Sequence, residues 1–250
     1  MGSYTHRDHH SCGQNKKRLN FGTWNVRTLI NNPKSDCPEK QTAIVVQELA
    51  RHNINIAAVS KTQLAEEGQL REVSRGYTFF WKRKPNHDPC IHRVGFVFRN
   101  KIADILPELS LSVNERLMTL HLHFSQNQRA TVISAFAPTL HSDEEVKEGF
   151  YSDFDNILAS ISRDNKVILL GDFNTWVGRD HEIWSRTISK SGVGKANANG
   201  ILLLTKCAQH GLIITNTVFC QKDQLKTMWR HPRSEHWHIL DYIIIQGRDQ

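Results

Sequence analysis

The chain contains no long apolar run. A helix that spans a bilayer needs about 20 consecutive apolar residues, and a secretion signal needs a shorter run near the N-terminus. With neither present, the expectation is a nuclear or cytoplasmic protein that is not secreted and has no membrane contact. Cysteine is scarce: Cys12, Cys37, Cys90, Cys207 and Cys220 are far apart, odd in number and form no CxxC pair. That excludes a disulfide framework and a cysteine-based zinc site, and it suits reduced thiols. Internal repeats and low-complexity linkers are absent as well. Acidic side chains are in deficit, with 25 Asp plus Glu against 32 Lys plus Arg and a formal charge of +7. A positive balance favours a polyanionic partner such as nucleic acid.

What is present reads as alternating short strands and a few helices. Strand-like runs fall near 19–25, 55–60, 77–81, 93–98, 117–124, 130–136, 166–171, 212–216 and 239–245. Residues 143–161 carry Val146, Phe150, Phe154, Ile157, Leu158 and Ile161 at helical spacing, which predicts a stripe of core packing. Residues 39–51 and 199–210 also read as helices, the second closed by Gly211 just past its end. Strands interrupted by helices point to mixed α/β layers in one domain over 19–250. The first 18 residues are polar, with His6, His9 and His10, and are expected to be a disordered tail.

The stretch Lys166-Val-Ile-Leu-Leu-Gly-Asp-Phe-Asn174 carries the most chemistry. A β-branched apolar run suits a strand buried on both faces. Gly171 would then permit a turn that a side chain obstructs. Should the chain stay extended, Asp172 and Asn174 point to the same side. A carboxylate and a carboxamide in one small space suit phosphate-ester hydrolysis, one aiming a water and the other steadying an oxygen. The competing reading is a loop with two turn-forming residues. Basic groups at Lys16 to Arg18, Lys82 to Lys84, and Arg230 with Arg233 lie near Trp81, Trp229 and Trp237 in sequence. They read either as a grip on a phosphate backbone with stacking for bases, or as a solvated face.

Three further segments add to this one: Thr23-Trp24-Asn25-Val26-Arg27-Thr28-Leu29, Ser134-Ala135-Phe136-Ala137-Pro138-Thr139, and His236-Trp237-His238-Ile239-Leu240-Asp241-Tyr242-Ile243-Ile244. In this order they resemble the endonuclease/exonuclease/phosphatase superfamily. With Ala65 to Leu70, Gly76 to Trp81 and His231 to Ser234, the likeness narrows to RTE/BovB-type retrotransposon endonucleases. Craniofacial development protein 2-like (bucentaur-related) proteins carry this domain. The resemblance runs from about Leu19 to Asp249. It implies a DNase I-like four-layer α/β sandwich of two mixed β-sheets flanked by helices, acting on DNA with Mg²⁺ (or Mn²⁺). The oligomeric state is left open, with a monomer favoured. The resemblance also implies roles for particular residues. Asn25 belongs to the metal-site network, Asp172 orients or deprotonates the attacking water, and Asn174 steadies the phosphate. Asp241 orients a catalytic histidine. Arg116 reaches a phosphate or, alternatively, forms a surface ion pair.

Against that pattern the chain departs in three places. Lys61 stands where the metal-ligating Glu is expected, and an ammonium repels a dication. Phe136 stands where an active-site Tyr is expected, so the phenolic hydroxyl is missing. The sequence stops at Gln250, before the closing segment that supplies a further Asp and the His, so the expectation is a sandwich lacking its C-terminal strand segment. Together these predict a Mg²⁺-dependent endonuclease by descent whose activity is weak or lost. The alternative is a non-catalytic DNA- or protein-binding module, with Arg116, Phe136 and Lys61 against the phosphate. A phosphatase of small phosphoesters and a decayed reading frame stand behind these two.

Overall fold

The structure is a computed structural model that describes residues 19–29, 41–64, 68–81, 93–104, 111–123, 128–223, 229–230 and 237–249. The expected tail over 1–18, the pair Glu66 and Glu67, the run Lys82 to Lys84, the segment His231 to His236, and Cys12, Cys37 and Cys90 lie outside the described residues.

The first sheet holds β1 (Phe21–Asn25), β2 (Ile56–Ser60), β3 (Gly68–Glu72), β4 (Tyr77–Trp81) and β5 (Val94–Arg99), in the order β1-β2-β5-β4-β3. β1 and β2 run parallel and the other neighbours antiparallel. The second sheet holds β6 (Leu111–Ser112), β7 (Leu117–His123), β8 (Arg129–Phe136), β9 (Lys166–Asp172), β12 (Leu212–Ile214) and β15 (Asp241–Gln246), in the order β12-β15-β9-β8-β7-β6. Here β8 and β9 form the parallel pair. Two short ribbons pair β10 (Val177–Gly178) with β11 (Val193–Ala196), and β13 (Trp229–Arg230) with β14 (Trp237–His238).

Side-chain alternation sorts the chain into layers, because successive residues of a strand face opposite ways. Ile56, Ala58, Phe96 and Phe98 of the first sheet meet Met118, Leu120, Val132 and Leu170 of the second in a shared inner core. The opposite face of the first sheet, with Ala57, Val59, Phe79 and Val97, takes Val45, Val46 and Leu49 of α1 (Gln41–Arg51). The outer face of the second sheet, with Ile133, Ala135, Leu169 and Ile244, takes α3 (Glu144–Ser160) and α4 (Ala198–Gln209). A one-turn helix, α2 (Asn100–Ala103), follows β5. The result is the expected helix, sheet, sheet, helix sandwich, with both sheets mixed.

Each buried Phe or Leu in these layers stabilises the fold by roughly 1.5–3 kcal/mol before chain entropy is set against it. In α3 the buried stripe is Phe150, Tyr151, Phe154 and Ile157, while Val146 in the first turn is exposed. Asn197 caps α4 by accepting the Gly200 N–H at 2.8 Å. Gly211 closes the helix with φ +64°, as its position predicts.

Gly171 differs from its expectation. It lies inside β9 rather than in a turn. A Cβ there would sit 1.9 Å from the Ala135 carbonyl oxygen, so the glycine permits close approach of β8 and β9. That approach brings the ends of the two strands together.

Candidate functional site

The polar residues of interest extend the inner core at one end of the sandwich. Phe21 packs against that core, so Thr23 and Asn25, two and four residues on, face the same way. Ile56 and Ala58 set the direction of Ser60 by the same rule, Leu170 that of Asp172, and Ile243 that of Asp241. Phe136 is itself part of the inner core. Asp172 is the register partner of Phe136 on one side and of Asp241 on the other. Two carboxylates, both buried at 2% and 5% exposure, therefore stand side by side opposite the amide and hydroxyls of the first sheet.

Neutral donors hold Asp172. Asn25 donates its side-chain Nδ2–H to Oδ2 at 2.8 Å, and the Asn174 backbone N–H donates to Oδ1 at 2.9 Å. Asp241 accepts from the Thr23 hydroxyl at 3.5 Å. Burial raises the Asp172 carboxyl above the usual carboxylate range, although the bonds from Asn174 and Asn25 and the charge of Lys61 pull it back. Asp241 is pushed up to about 8 by burial and then by the neighbouring Asp172, against the opposing pull of Thr23 and Lys61. Two like charges in a dry space disfavour simultaneous ionisation.

Asn174 follows the turn reading of its motif rather than the extended one. Its φ of +47° makes it a left-handed turn residue, and the strand ends at Asp172. Its side chain donates to the Ala137 carbonyl at 2.8 Å, which ties the end of β9 to the end of β8. It reaches Asp172 through its backbone N–H, so the two side chains share the strand end without bonding each other.

Lys61 follows β2 directly, with φ +58°. A non-glycine residue in this region costs on the order of 1 kcal/mol and persists only where its surroundings impose it. Here Thr62 is pinned on both sides: its N–H donates to the Arg93 carbonyl at 3.2 Å, and its carbonyl accepts from Leu29 N–H at 2.9 Å. The Lys61 ammonium lies 5.1 Å from the centroid of the Phe136 ring, and the Arg116 guanidinium carbon lies 5.8 Å from that centroid. Two cations thus lie over the same aromatic ring, an attraction of roughly 0.5–1 kcal/mol each where solvent reaches them. Lys61 acts on both carboxylates through space rather than through a direct ion pair. Arg116 also donates to the Phe136 carbonyl at 3.4 Å and faces Glu115 at 3.8 Å, so its surface ion pair and its place at the cleft coexist. Burial lowers its pKa, and Glu115 opposes the shift.

Asn25, Lys61, Arg116, Phe136, Asp172, Asn174 and Asp241 therefore converge at this end of the sandwich. His238 stacks on Trp176 with ring centroids 3.7 Å apart and 6° between planes, a packing role at the β14 ribbon. Three residues had gone unnoticed in the sequence. Thr23 and Ser60 could have been found by alternation back from Asn25 and Ile56. Asn216 could not, because it acts across the sheet: its Nδ2–H donates to the Asp241 carbonyl at 3.2 Å and its Oδ1 accepts from Ile243 N–H at 2.9 Å.

The donor set does not fit the implied Mg²⁺ as it stands. Mg²⁺ binds ionised oxygens and keeps several waters. This end offers two buried carboxylates whose ionisation burial disfavours, and an ammonium within their field. Among the described residues, no three His, Cys, Asp or Glu side chains lie together.

No family model matches the chain. It is 28% identical over 233 residues to craniofacial development protein 2 of Bos taurus and equally to that of Tragulus javanicus, covering 93% of this chain and 37% and 38% of those proteins. The chain spans about two fifths of the length of the curated relatives it matches. An endonuclease/exonuclease/phosphatase family protein from Leptotrichia buccalis superposes with a TM-score of 0.53 at 15% identity, over 91% of this chain and 87% of that one. The chain is similar to craniofacial development protein 2 and has the endonuclease/exonuclease/phosphatase fold. Two further structures share this fold. The 3′ phosphatase NExo from Neisseria, bound to a product DNA hairpin, gives 0.54 at 15% identity, over 92% of this chain and 87% of that one. TDP2 from D. rerio, complexed with a single strand DNA product, gives 0.53 at 15% identity, over 91% and 83%. In the fold, the end that carries Asp172 and Asp241 is where strands of both sheets terminate together. No helix of the described residues is long and apolar enough to cross a membrane.

Proposed function

We propose that this chain is a DNA-binding domain descended from a Mg²⁺-dependent retrotransposon endonuclease, in which hydrolysis is weak or lost. One observation carries the reading: a lysine ammonium, Lys61, stands over Phe136 and within the field of both buried carboxylates. A hydrolytic site on this fold calls for a base that is ionised and an electrophile that draws charge from the phosphate. Here burial raises the Asp172 carboxyl, and Lys61 and Arg116 lie over the Phe136 ring beside it. Those two cations suit capture of a phosphodiester rather than its cleavage. Two fold neighbours, NExo and TDP2, are bound to DNA products, and the net charge of this chain is +7, which supports the same partner class. The binding role rests on charge at the cleft and so depends on salt.

Supercoiled plasmid incubated with the purified chain and Mg²⁺ is expected to stay unnicked, as it does with an Asp172→Ala control. Binding to the same DNA, measured by fluorescence anisotropy, is expected to weaken steeply with salt and to ignore a chelator. Nicking that vanishes in the control, or binding that needs Mg²⁺, would overturn the reading.

A further inference from the structure

The outer strands of the two sheets are unequally protected. A sheet edge presents unpaired N–H and C=O groups, and proteins guard it with charge, shortness or cover. β3 carries Arg71 and Glu72, and Arg71 pairs with Asp104 at 3.3 Å. β6 and β12 are two and three residues long. β1 has no such defence among the described residues: Phe21-Gly22-Thr23-Trp24-Asn25 is five residues long and uncharged. Its parallel partner β2 engages the even-numbered residues. The Asn20 carbonyl accepts from Ile56 N–H at 3.2 Å, and Val26 N–H donates to the Ser60 carbonyl at 3.1 Å. The backbone groups of Phe21, Thr23 and Asn25 therefore point sideways, away from the sheet.

The second sheet reaches further on this side. β1 lies over β9 and β15, so β12 extends beyond it. Alternation places Ile243 and Ile245, and Ile213 opposite Ile245, on the inner face. All three are half-buried, whereas Tyr242, Ile244 and Leu212 on the outer face are buried in the helix-covered core. Beside β1 there is thus a groove with an apolar floor and a wall of backbone donors and acceptors.

We propose that this groove docks an extended segment of a partner protein, added as a strand beside β1. Branched apolar side chains at alternate positions of that segment face Ile213, Ile243 and Ile245, and its backbone pairs with Phe21, Thr23 and Asn25. A second copy of this chain does not suit the groove. Identical edges pair antiparallel about a two-fold axis, which brings the overhanging β12 of both copies into the same space. The docking surface goes beyond the DNA-binding role and stands without it.

The probe is a fluorescein-labelled peptide of about seven residues that alternates Ile with Thr, beside a copy broken by a central proline. Binding to the full chain is followed by fluorescence anisotropy without DNA, and backbone hydrogen exchange is read residue by residue. In the free chain the Thr23 and Asn25 amides are expected to exchange faster than those of Gly22 and Trp24. The alternating peptide is expected to bind and to slow Thr23 and Asn25. The proline copy, and Ile213→Lys with the alternating peptide, are each expected to bind at least about tenfold more weakly. Should Ile213→Lys not fold, the exchange pattern of the wild type decides. Absence of binding, equal binding of the two peptides, or wild-type strength in a folded Ile213→Lys overturns the proposal. So does protection of Thr23 and Asn25 in the free chain, or a concentration-dependent dimer that protects them.

Discussion

Two aspartates in this molecule live under opposite rules. Asp155, between α3 and α4, is met directly by two side chains, Lys206 Nζ at 2.5 Å and His210 Nε2 at 2.9 Å. Its burial alone would raise its pKa, yet the hydrogen bonds and charges of Lys206 and His210 bring it below the ordinary value. Asp172 is more deeply buried and receives only neutral donors, with its nearest cation held off over a ring. Its pKa goes up. Where two helices must dock, charge is cancelled within the fold. At the end of the sandwich, no cation meets Asp172 or Asp241 directly among the described residues. Unsatisfied electrostatics mark a functional site better than the mere presence of acidic residues.

The contrast can be attacked most heavily at the strand that carries Asp172. Gly171→Ala pushes a Cβ to within 1.9 Å of the Ala135 carbonyl oxygen, a clash with backbone that no rotamer relieves. A loss on the order of 3 kcal/mol or more is expected, read as a lowered midpoint in urea.

Asp241→Asn tests the uncancelled charge itself. The wild-type carboxyl stays protonated in the fold up to about 8, whereas the unfolded chain releases that proton near the ordinary value of about 4. The folded state therefore holds more protons between those limits, and stability falls as pH rises through them. The variant lacks this loss and is expected to gain stability at pH 8 relative to its effect at pH 4. Thermal melts from pH 4 to 8 check it; parallel pH profiles would sink it.

On the cancelled side the slope reverses. Asp155→Asn removes a carboxyl whose pKa is lowered in the fold, so the loss is present at neutral pH and disappears as pH falls below about 4. Since the side chain is 33% exposed, solvent screening limits the cost to about 0.5–1 kcal/mol. The smallest change concerns salt. Lys61→Met is expected to lower the slope of log affinity for DNA against log salt by about one, as removal of one phosphate contact does. An unchanged slope would place Lys61 away from the phosphate.

Much of the architecture is readable from residue pattern. The apolar runs at 94–98 and 166–170 announce strands buried on both faces, and the stripe from Phe150 to Ile157 announces α3. β3 escapes because Gly68–Glu72 is polar with no alternation, an edge strand exposed along most of its length. The ribbons β10 with β11 and β13 with β14 are too short for any period to show. At the site, Asn25, Asp172 and Asp241 were legible through motif. The direct partners of those residues were not, since Thr23 reaches Asp241 and Asn216 holds the Asp241 strand only after both sheets have formed. Gly171 misled for a related reason. A glycine required by a neighbouring strand looks, in one dimension, the same as a glycine required by a turn.

The sequence distance inside the site has a kinetic meaning. Thr23 and Asp241 are 218 residues apart, and Asn25 and Asp172 are 147 apart, yet each pair shares a hydrogen bond. Such long loops are costly to close and are closed late. Each sheet can gather most of its own strands before this, but the buried carboxylates find their amide and hydroxyl only when the two halves dock. The end that carries Asp172 and Asp241 is thus the seam of the molecule, and a spectroscopic label there would test whether it forms last.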